Sequence, residues 1–373
     1  MAAGGGPGAG EGGRVWAGGE HGGAAGGGGG DALPGGGAAR PGAVAARCAW
    51  AGWPGALHGV AAGAGSVQRH PADGVRAGRP GYCAELAEAG RGGACGGVHL
   101  GEPGAMVRDS SGGIPLWRFA LLSSAGGLRH AITTRLGGTS EPPYAELNLG
   151  LHVGDDPGRV VENRRRVCQA LGVSFESLTF GRQVHGDRVH VVGSGDVGAG
   201  RDRLETSIAG ADGLVVAGRG ATIGVLMADC VPLVCYDPER RVGAVAHAGW
   251  RGTARGIAAA MVGRMARECG SRPEWLLVGI GPGVGPCCYE VGGEVVEALR
   301  AAGASPGSLV AAGEGSWRVD LAAVNCSQLM AAGVPAGNIE VAGICTSCRS
   351  EEFFSERRLG RPTGRFGAFL ALA

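Results

Sequence analysis

The stretch "ATIGVLMADCVPLVCYDPERRVGAVAHAGW", residues 221–250, constrains the fold more than any other part of the chain. Apolar, β-branched segments flank Asp237-Pro238-Glu239-Arg240, a turn signal, and the pattern predicts a β-hairpin. Facing residues of an antiparallel hairpin have numbers that add to a constant. With the turn centred between Pro238 and Glu239, Cys230 faces His247. Directly opposed residues have Cβ atoms about 4.5–5.5 Å apart, a separation that suits two ligands of one metal ion or a thiol paired with a base. A histidine closing a strand can equally be a hydrogen-bonded core residue, so the pair needs a third member. Cys235 lies an odd number of residues from Cys230 and points to the other face, which argues against a closed, purely structural site.

The local candidate for the third ligand is His185 in "RQVHG", at a strand end followed by glycine; His152 and His190 compete with it. Two imidazoles and one thiolate suit zinc, with a fourth tetrahedral position open to water or substrate. Arg135 and Arg251 each follow a predicted strand and sit beside glycines. The planar fork of arginine suits phosphate, and the chain has no lysine to take that role. Other motifs carry less. "GIGPGVGPCCYE" lacks the Gly-Lys-Ser/Thr ending of a phosphate loop, and Cys345-Thr346-Ser347-Cys348 has no second paired motif and reads as thiols near a strand end.

Composition divides the chain. Roughly a third of residues 1–105 are glycine, with Ala, Arg and Pro around them and no sustained period, so this segment cannot offset its chain entropy by burying apolar surface. It is expected to be disordered, or to lie upstream of a biological start near Met106, where globular patterning begins. Residues 106–373 are expected to form one catalytic domain. A net charge of +1 leaves no electrostatic footprint for nucleic acid, and no apolar run is long enough for a membrane span. The cysteines show no secreted disulfide framework, which points to the cytoplasm. The oligomeric state is left open.

Within 106–373, "RHAITTRLGG" reads as a strand, and 154–172 as a helix with Asp156 as N-cap, Pro157 at its first position and Gly172 as its stop. Thr253 to Gly270 reads as one amphipathic helix, with Ile257, Met261 and Met265 a turn apart. Residues 194–210 read as a polar loop, and "IEVAGICTSC" and "GRFGAFLALA" as strands. Strands outnumber helices and hairpins are evident, so the expected class is α+β with mixed sheets.

Six motifs, "RQVHG", "ADGLV", "MADCVPLV", "AHAGWRG", "GPGVGPCCYEVG" and "CTSC…FFSERRLG…TGRFGAFL", occur in the order that marks one family. Over about residues 115–373 the chain resembles the laccase-domain family, known both as polyphenol oxidases and as zinc-dependent purine nucleoside phosphorylases. The resemblance implies a four-layer α/β/β/α fold and a single metal held by His185, Cys230 and His247. It also places Asn148 and Asp212 in signature loops, as polar pocket residues. "FFSERRLG" departs from the family's usual FFSYRRDG at Glu356 and Leu359, and 194–206 is longer than the usual linker. Both bear on the pocket wall and so on substrate preference.

The function implied is phosphorolysis of adenosine, inosine and related nucleosides such as methylthioadenosine, with adenosine deamination at the same zinc site. Phosphate and purine nucleosides are then the small-molecule partners. Two alternatives stand beside it. One is copper-dependent phenol oxidation (copper binds the same ligands), although five histidines in 106–373 cannot build a multi-copper cluster. The other is a metal-free Cys230–His247 dyad acting as a hydrolase or deamidase.

Overall fold

The structure, a computed structural model, describes residues 106–110 and 112–373; the expected low-complexity segment, residues 1–105, lies outside the described residues. In chain order the first strands are β1 (Met106–Asp109), β2 (Leu116–Phe119), β3 (Leu128–Thr133), β4 (Leu178–Phe180), β5 (Val189–Val191), β6 (Gly213–Ala217) and β7 (Thr222–Met227). They are followed by β8 (Val231–Asp237), β9 (Val242–Ala248), β10 (Leu277–Ile280), β11 (Glu290–Gly292), β12 (Leu309–Gly313), β13 (Ser316–Val319), β14 (Ile339–Val341) and β15 (Phe366–Leu372). The helices are α1 (Ala120–Ala125), α2 (Pro157–Leu171), α3 (Trp250–Ala254), α4 (Ile257–Cys269), α5 (Gly293–Ala301), α6 (Leu321–Ala331) and α7 (Glu356–Leu359). None of the described helices is long and apolar enough to cross a membrane.

Two six-stranded sheets form the centre, in the orders β1-β2-β3-β15-β7-β4 and β14-β10-β8-β9-β6-β5, with a small β11-β13-β12 sheet beside them. Both large sheets are mixed: β4–β7, β5–β6 and β10–β14 pair in parallel within otherwise antiparallel ladders. Strand periodicity sorts the side chains into layers. On β15, Phe366, Ala368, Leu370 and Leu372 join Val234, Tyr236 and Val245 in the core between the two sheets. Phe369 joins Val167, Cys168 and Leu171 of α2 on the outer face of the first sheet. The outer face of the second sheet packs Val231, Leu233 and Cys235 against Ile257, Met261 and Met265 of α4 and against α6. The layers therefore run helix, sheet, sheet, helix. With both faces covered, every residue of β8 and β9 is buried.

Local signals explain the element ends. The Asp156 side chain accepts from Arg159 N–H at 2.9 Å and Pro157 opens α2, while Gly172 in the left-handed region ends it. Ile257, Met261 and Met265 are fully buried, each burial stabilising by about 1.5–3 kcal/mol.

Three expectations need correction. The single helix over 253–270 is two, because Gly256 takes φ +81° and breaks the run between α3 and α4. The hairpin is present, but its register is Pro232↔His247, with Asp237↔Val242 closing a four-residue loop. Its turn is centred one residue later than the Asp-Pro signal suggests, so Cys230 is diagonal to His247 rather than opposite it. Finally, β7 is not part of the hairpin sheet. The chain leaves the first sheet after Met227, and Asp229 at φ 89° turns it into β8 of the second. Cys230 sits on that crossover.

Candidate metal centre

A two-residue shift in strand pairing keeps side chains on the same face, so the corrected register still aims Cys230 and His247 into one space. The loop after β4 adds His185. One ligand atom from each of His185, Cys230 and His247 falls within 4.8 Å of the others. The two imidazoles meet edge to face, with ring centroids 4.8 Å apart and planes at 75°. His185 is exposed, Cys230 half-buried and His247 buried, so the centre opens toward solvent on the His185 side.

One buried carboxylate arranges this set. Asp212 accepts backbone N–H bonds from Val184 (3.0 Å), His185 (2.9 Å) and Gly186 (2.8 Å), and Nδ1 of His247 lies 3.0 Å from its Oδ1. The three N–H bonds hold His185 at φ 59°, a strained conformation costing on the order of 1–3 kcal/mol. Burial opposes the charge on Asp212, but the bonds from His247, Val184 and Gly186 outweigh it and hold the carboxyl below its usual range. An ionised Asp212 only accepts, so Nδ1 of His247 carries the proton and Nε2 is left as a ligand. The other side of the centre is tied as firmly. Asp229 accepts from the Thr346 hydroxyl and Arg357 N–H, both at 2.7 Å, and fixes the residue before Cys230.

The donors also answer one another electrically. Burial pushes the Cys230 thiol up, but the His247 charge and hydrogen bonds from His185 and His247 bring it down to about 6. Burial opposes protonation of His247, while the Cys230 thiolate and Asp212 raise it to about 9. Tetrahedral zinc with Zn–N of about 2.0 Å and Zn–S of about 2.3 Å needs ligand atoms about 3.3–3.8 Å apart, which the cluster allows. Gly249 leaves the necessary room, since a Cβ there would stand 2.9 Å from Cys230 Sγ and 3.1 Å from His185 Cδ2. The residues fit a single soft or borderline divalent ion with one position open.

Comparison with known proteins places the chain in a family. The family model described as multi-copper polyphenol oxidoreductase laccase matches residues 129–373. The chain belongs to this family. A purine nucleoside phosphorylase, YlmD of Geobacillus stearothermophilus, is 42% identical over 241 residues, covering 64% of this chain and 88% of the relative. An adenosine deaminase, RL5, from an unknown prokaryotic organism, is 39% identical over 254 residues, 68% of this chain and 97% of the relative. The crystal structure of the Geobacillus YlmD superposes with a TM-score of 0.68 at 38% identity, covering 72% of this chain and 98% of that one.

In this laccase-family chain the other expected pocket residues divide. Arg251 stands exposed on α3, 4.3 Å over Trp250, and its charge reaches Tyr289 near the centre. Arg135 is committed elsewhere: its guanidinium donates to the Ala145 and Ser350 carbonyls and stacks 4.7 Å from the Phe354 ring. Asn148, fully buried, knits loops, donating to Asp155 and accepting from Gly150 and Arg365 N–H. Asp212 braces the ligands instead of lining the pocket. His190 is a strand residue held 2.9 Å from Asp196, and His130 accepts from Phe119 N–H; neither belongs to the His185–Cys230–His247 cluster. Glu356 is bonded to Arg361 and Arg365, whereas Leu359 is exposed.

Several residues of the rim escaped the sequence reading. Burial, followed by the Cys230 charge, pushes the Tyr289 hydroxyl up to about 12, and the Arg357 guanidinium lies 5.3 Å from its ring. Arg365 is pushed down by burial, with Glu356 and Cys230 pulling the other way. His152 is accessible yet crowded; desolvation, then Arg365 and Arg164, push it down to about 4. At neutral pH it is an uncharged imidazole. His152 was weighed only as a rival ligand, and the motifs that hold Tyr289, Arg357 and Arg365 do not show that the fold brings these residues together.

Proposed function

We propose that the chain is a zinc enzyme that cleaves purine nucleosides with phosphate and deaminates adenosine at the His185–Cys230–His247 centre. The observation that carries this reading is the Asp212 brace. It commits Nδ1 of His247, fixes His185 in a strained conformation beside Cys230, and leaves one side of the cluster open. A thiol–base dyad would need Cys230 and His247 but has no use for a strained third histidine. The relatives named phosphorylase and deaminase support both reactions.

Zinc bound there supplies Lewis-acid polarisation of an oxygen at the open position. The chain's own residues supply the rest. Arg251, with Arg357 and Arg365, forms a cationic rim suited to phosphate, and the planar guanidinium of Arg251 gives two donors to one anion. Tyr289 keeps its proton throughout the neutral range, so its hydroxyl can donate to a bound purine and its ring can stack beside one. Neutral His152 can accept a proton from the incoming water in deamination. Phosphorolysis gives a free base and ribose 1-phosphate; deamination takes up water and releases inosine and ammonia. A thiolate ligand such as Cys230 would persist in a reducing compartment, which supports a cytoplasmic location as part of this reading.

Copper oxidation of phenols at the same ligands is the second reading, favoured by the description of the family. Elemental analysis of protein purified without added metal, with assays on inosine plus phosphate, adenosine, and a phenol, decides between them. Zinc at this centre with turnover of both nucleosides is expected. Copper with phenol turnover alone would replace the proposal.

A further inference from the structure

Cys345 and Cys348, read from the sequence as thiols near a strand end, are joined in the fold by two further cysteines. The glycine loop after β10 carries Cys287 and Cys288 to the turn after β14, and all four cysteines offer sulfurs within 4.8 Å of one another. Cys348 Sγ lies 3.5 Å from both Cys287 Sγ and Cys288 Sγ. That is far beyond the about 2.05 Å of a disulfide, and close to the about 3.8 Å edge of a tetrahedron with metal–sulfur bonds of about 2.3 Å.

The backbone around these sulfurs is shaped for them. Gly283 pairs with Cys345 in a parallel bridge, and Thr346 N–H donates to the Gly283 carbonyl at 3.0 Å. Gly285 N–H donates to Cys345 Sγ at 3.2 Å, the kind of bond that supports a metal thiolate from outside the coordination sphere. A Cβ at Gly285 would stand 3.2 Å from Cys345 Cβ and 3.5 Å from Cys287 Sγ, so glycine keeps the cluster open. Cys287, Cys288 and Cys345 are half-buried and Cys348 is exposed, which gives an ion a path in.

We propose that Cys287, Cys288, Cys345 and Cys348 bind a second zinc ion, structural in role and separate from the His185–Cys230–His247 centre. Four thiolates fill a tetrahedral shell and leave no position for substrate. The ion cross-links two loops whose cysteines Cys287 and Cys348 lie 61 residues apart in sequence. Tyr289 follows Cys288 directly, and Thr346 lies between Cys345 and Cys348 while bonding Asp229, the residue before Cys230. The second ion thereby fixes the rim of the first site. It does not depend on the activity proposed above.

The test uses the full chain carrying Cys230→Ser and His247→Ala, so that the first centre cannot contribute. One zinc per chain is expected by elemental analysis, with an X-ray absorption spectrum of four sulfurs at about 2.3 Å and no nitrogen. Adding Cys345→Ser and Cys348→Ser should reduce the zinc to none. The absorption spectrum needs only the intact cysteines, so the proposal stays testable if that last variant fails to fold. No zinc in the first variant, nitrogen in the shell, iron in place of zinc, or an unreduced mass two hydrogens lower from a disulfide among these cysteines would each overturn it.

Discussion

Asp212 does more for the centre than any one ligand, because a single carboxylate fixes the ring of His247 and the backbone of His185 together. Asp212→Asn replaces one accepting oxygen with a donor facing N–H groups. Zinc affinity should fall about 10–100-fold in competition titrations, with the fold retained by circular dichroism. An unchanged affinity would mean that the ligand geometry is set elsewhere. Cys230 gives a second test. Since its folded pKa is lowered to about 6, the thiolate predominates above that pH and is lost below it. In zinc-free protein the alkylation rate at Cys230 should therefore rise through about pH 6, and His247→Ala should move the midpoint up. Zinc-loaded protein should resist alkylation, because its thiolate is already occupied. At the rim, Arg251→Lys should reduce phosphorolysis much more than deamination, since lysine cannot reproduce a two-donor grip on phosphate. Equal losses in the two assays would make Arg251 a nucleoside-positioning residue.

At the scale of elements, what could be read from the chain was what local chemistry determines. The cap and stop of α2 follow from Asp156, Pro157 and Gly172, and the stripe Ile257–Met261–Met265 follows from helical periodicity. That Cys230 and His247 face one space was legible through strand parity even though the pairing register was two residues off. What local chemistry does not determine stayed hidden. Nothing near Asp229 announces that β7 and β8 belong to different sheets, since both are short apolar runs. Cys287 and Cys348 are separated by 61 residues and meet only because β10 and β14 pair in parallel. The Asp212 brace was hidden for the same reason: its signature loop marked it as a polar pocket residue, and only the pairing of β6 with β9 brings it to His247. The stripe on α4 also carries a stability prediction. Met261→Ala removes a fully buried side chain between α4 and the second sheet and should cost about 2–5 kcal/mol in chemical denaturation. A loss below about 1 kcal/mol would mean that the helix layer contributes less to folding than its burial implies.

For the molecule as a whole, the question is how much of the chain the fold requires. Both sheets, the helix layers on either side and both cysteine-containing clusters lie within residues 106–373, and the family match begins at 129. We propose that translation begins near Met106, because residues 1–105 are about a third glycine and without periodicity. Met106 itself is buried, and β1 pairs with β2 along the edge of the first sheet from its first residue, Met106↔Phe119. A chain produced from Met106 should thus match the full chain in thermal midpoint, zinc content and nucleoside turnover. A chain starting at Gly112 loses β1, exposes β2 as the new edge and uncovers core around Phe119; it should unfold at lower temperature. Mass spectrometry of the protein from its native cell should recover no peptide from before residue 100. If such peptides appear, or if the Met106 chain loses zinc or turnover, the upstream segment has a role that its composition does not reveal.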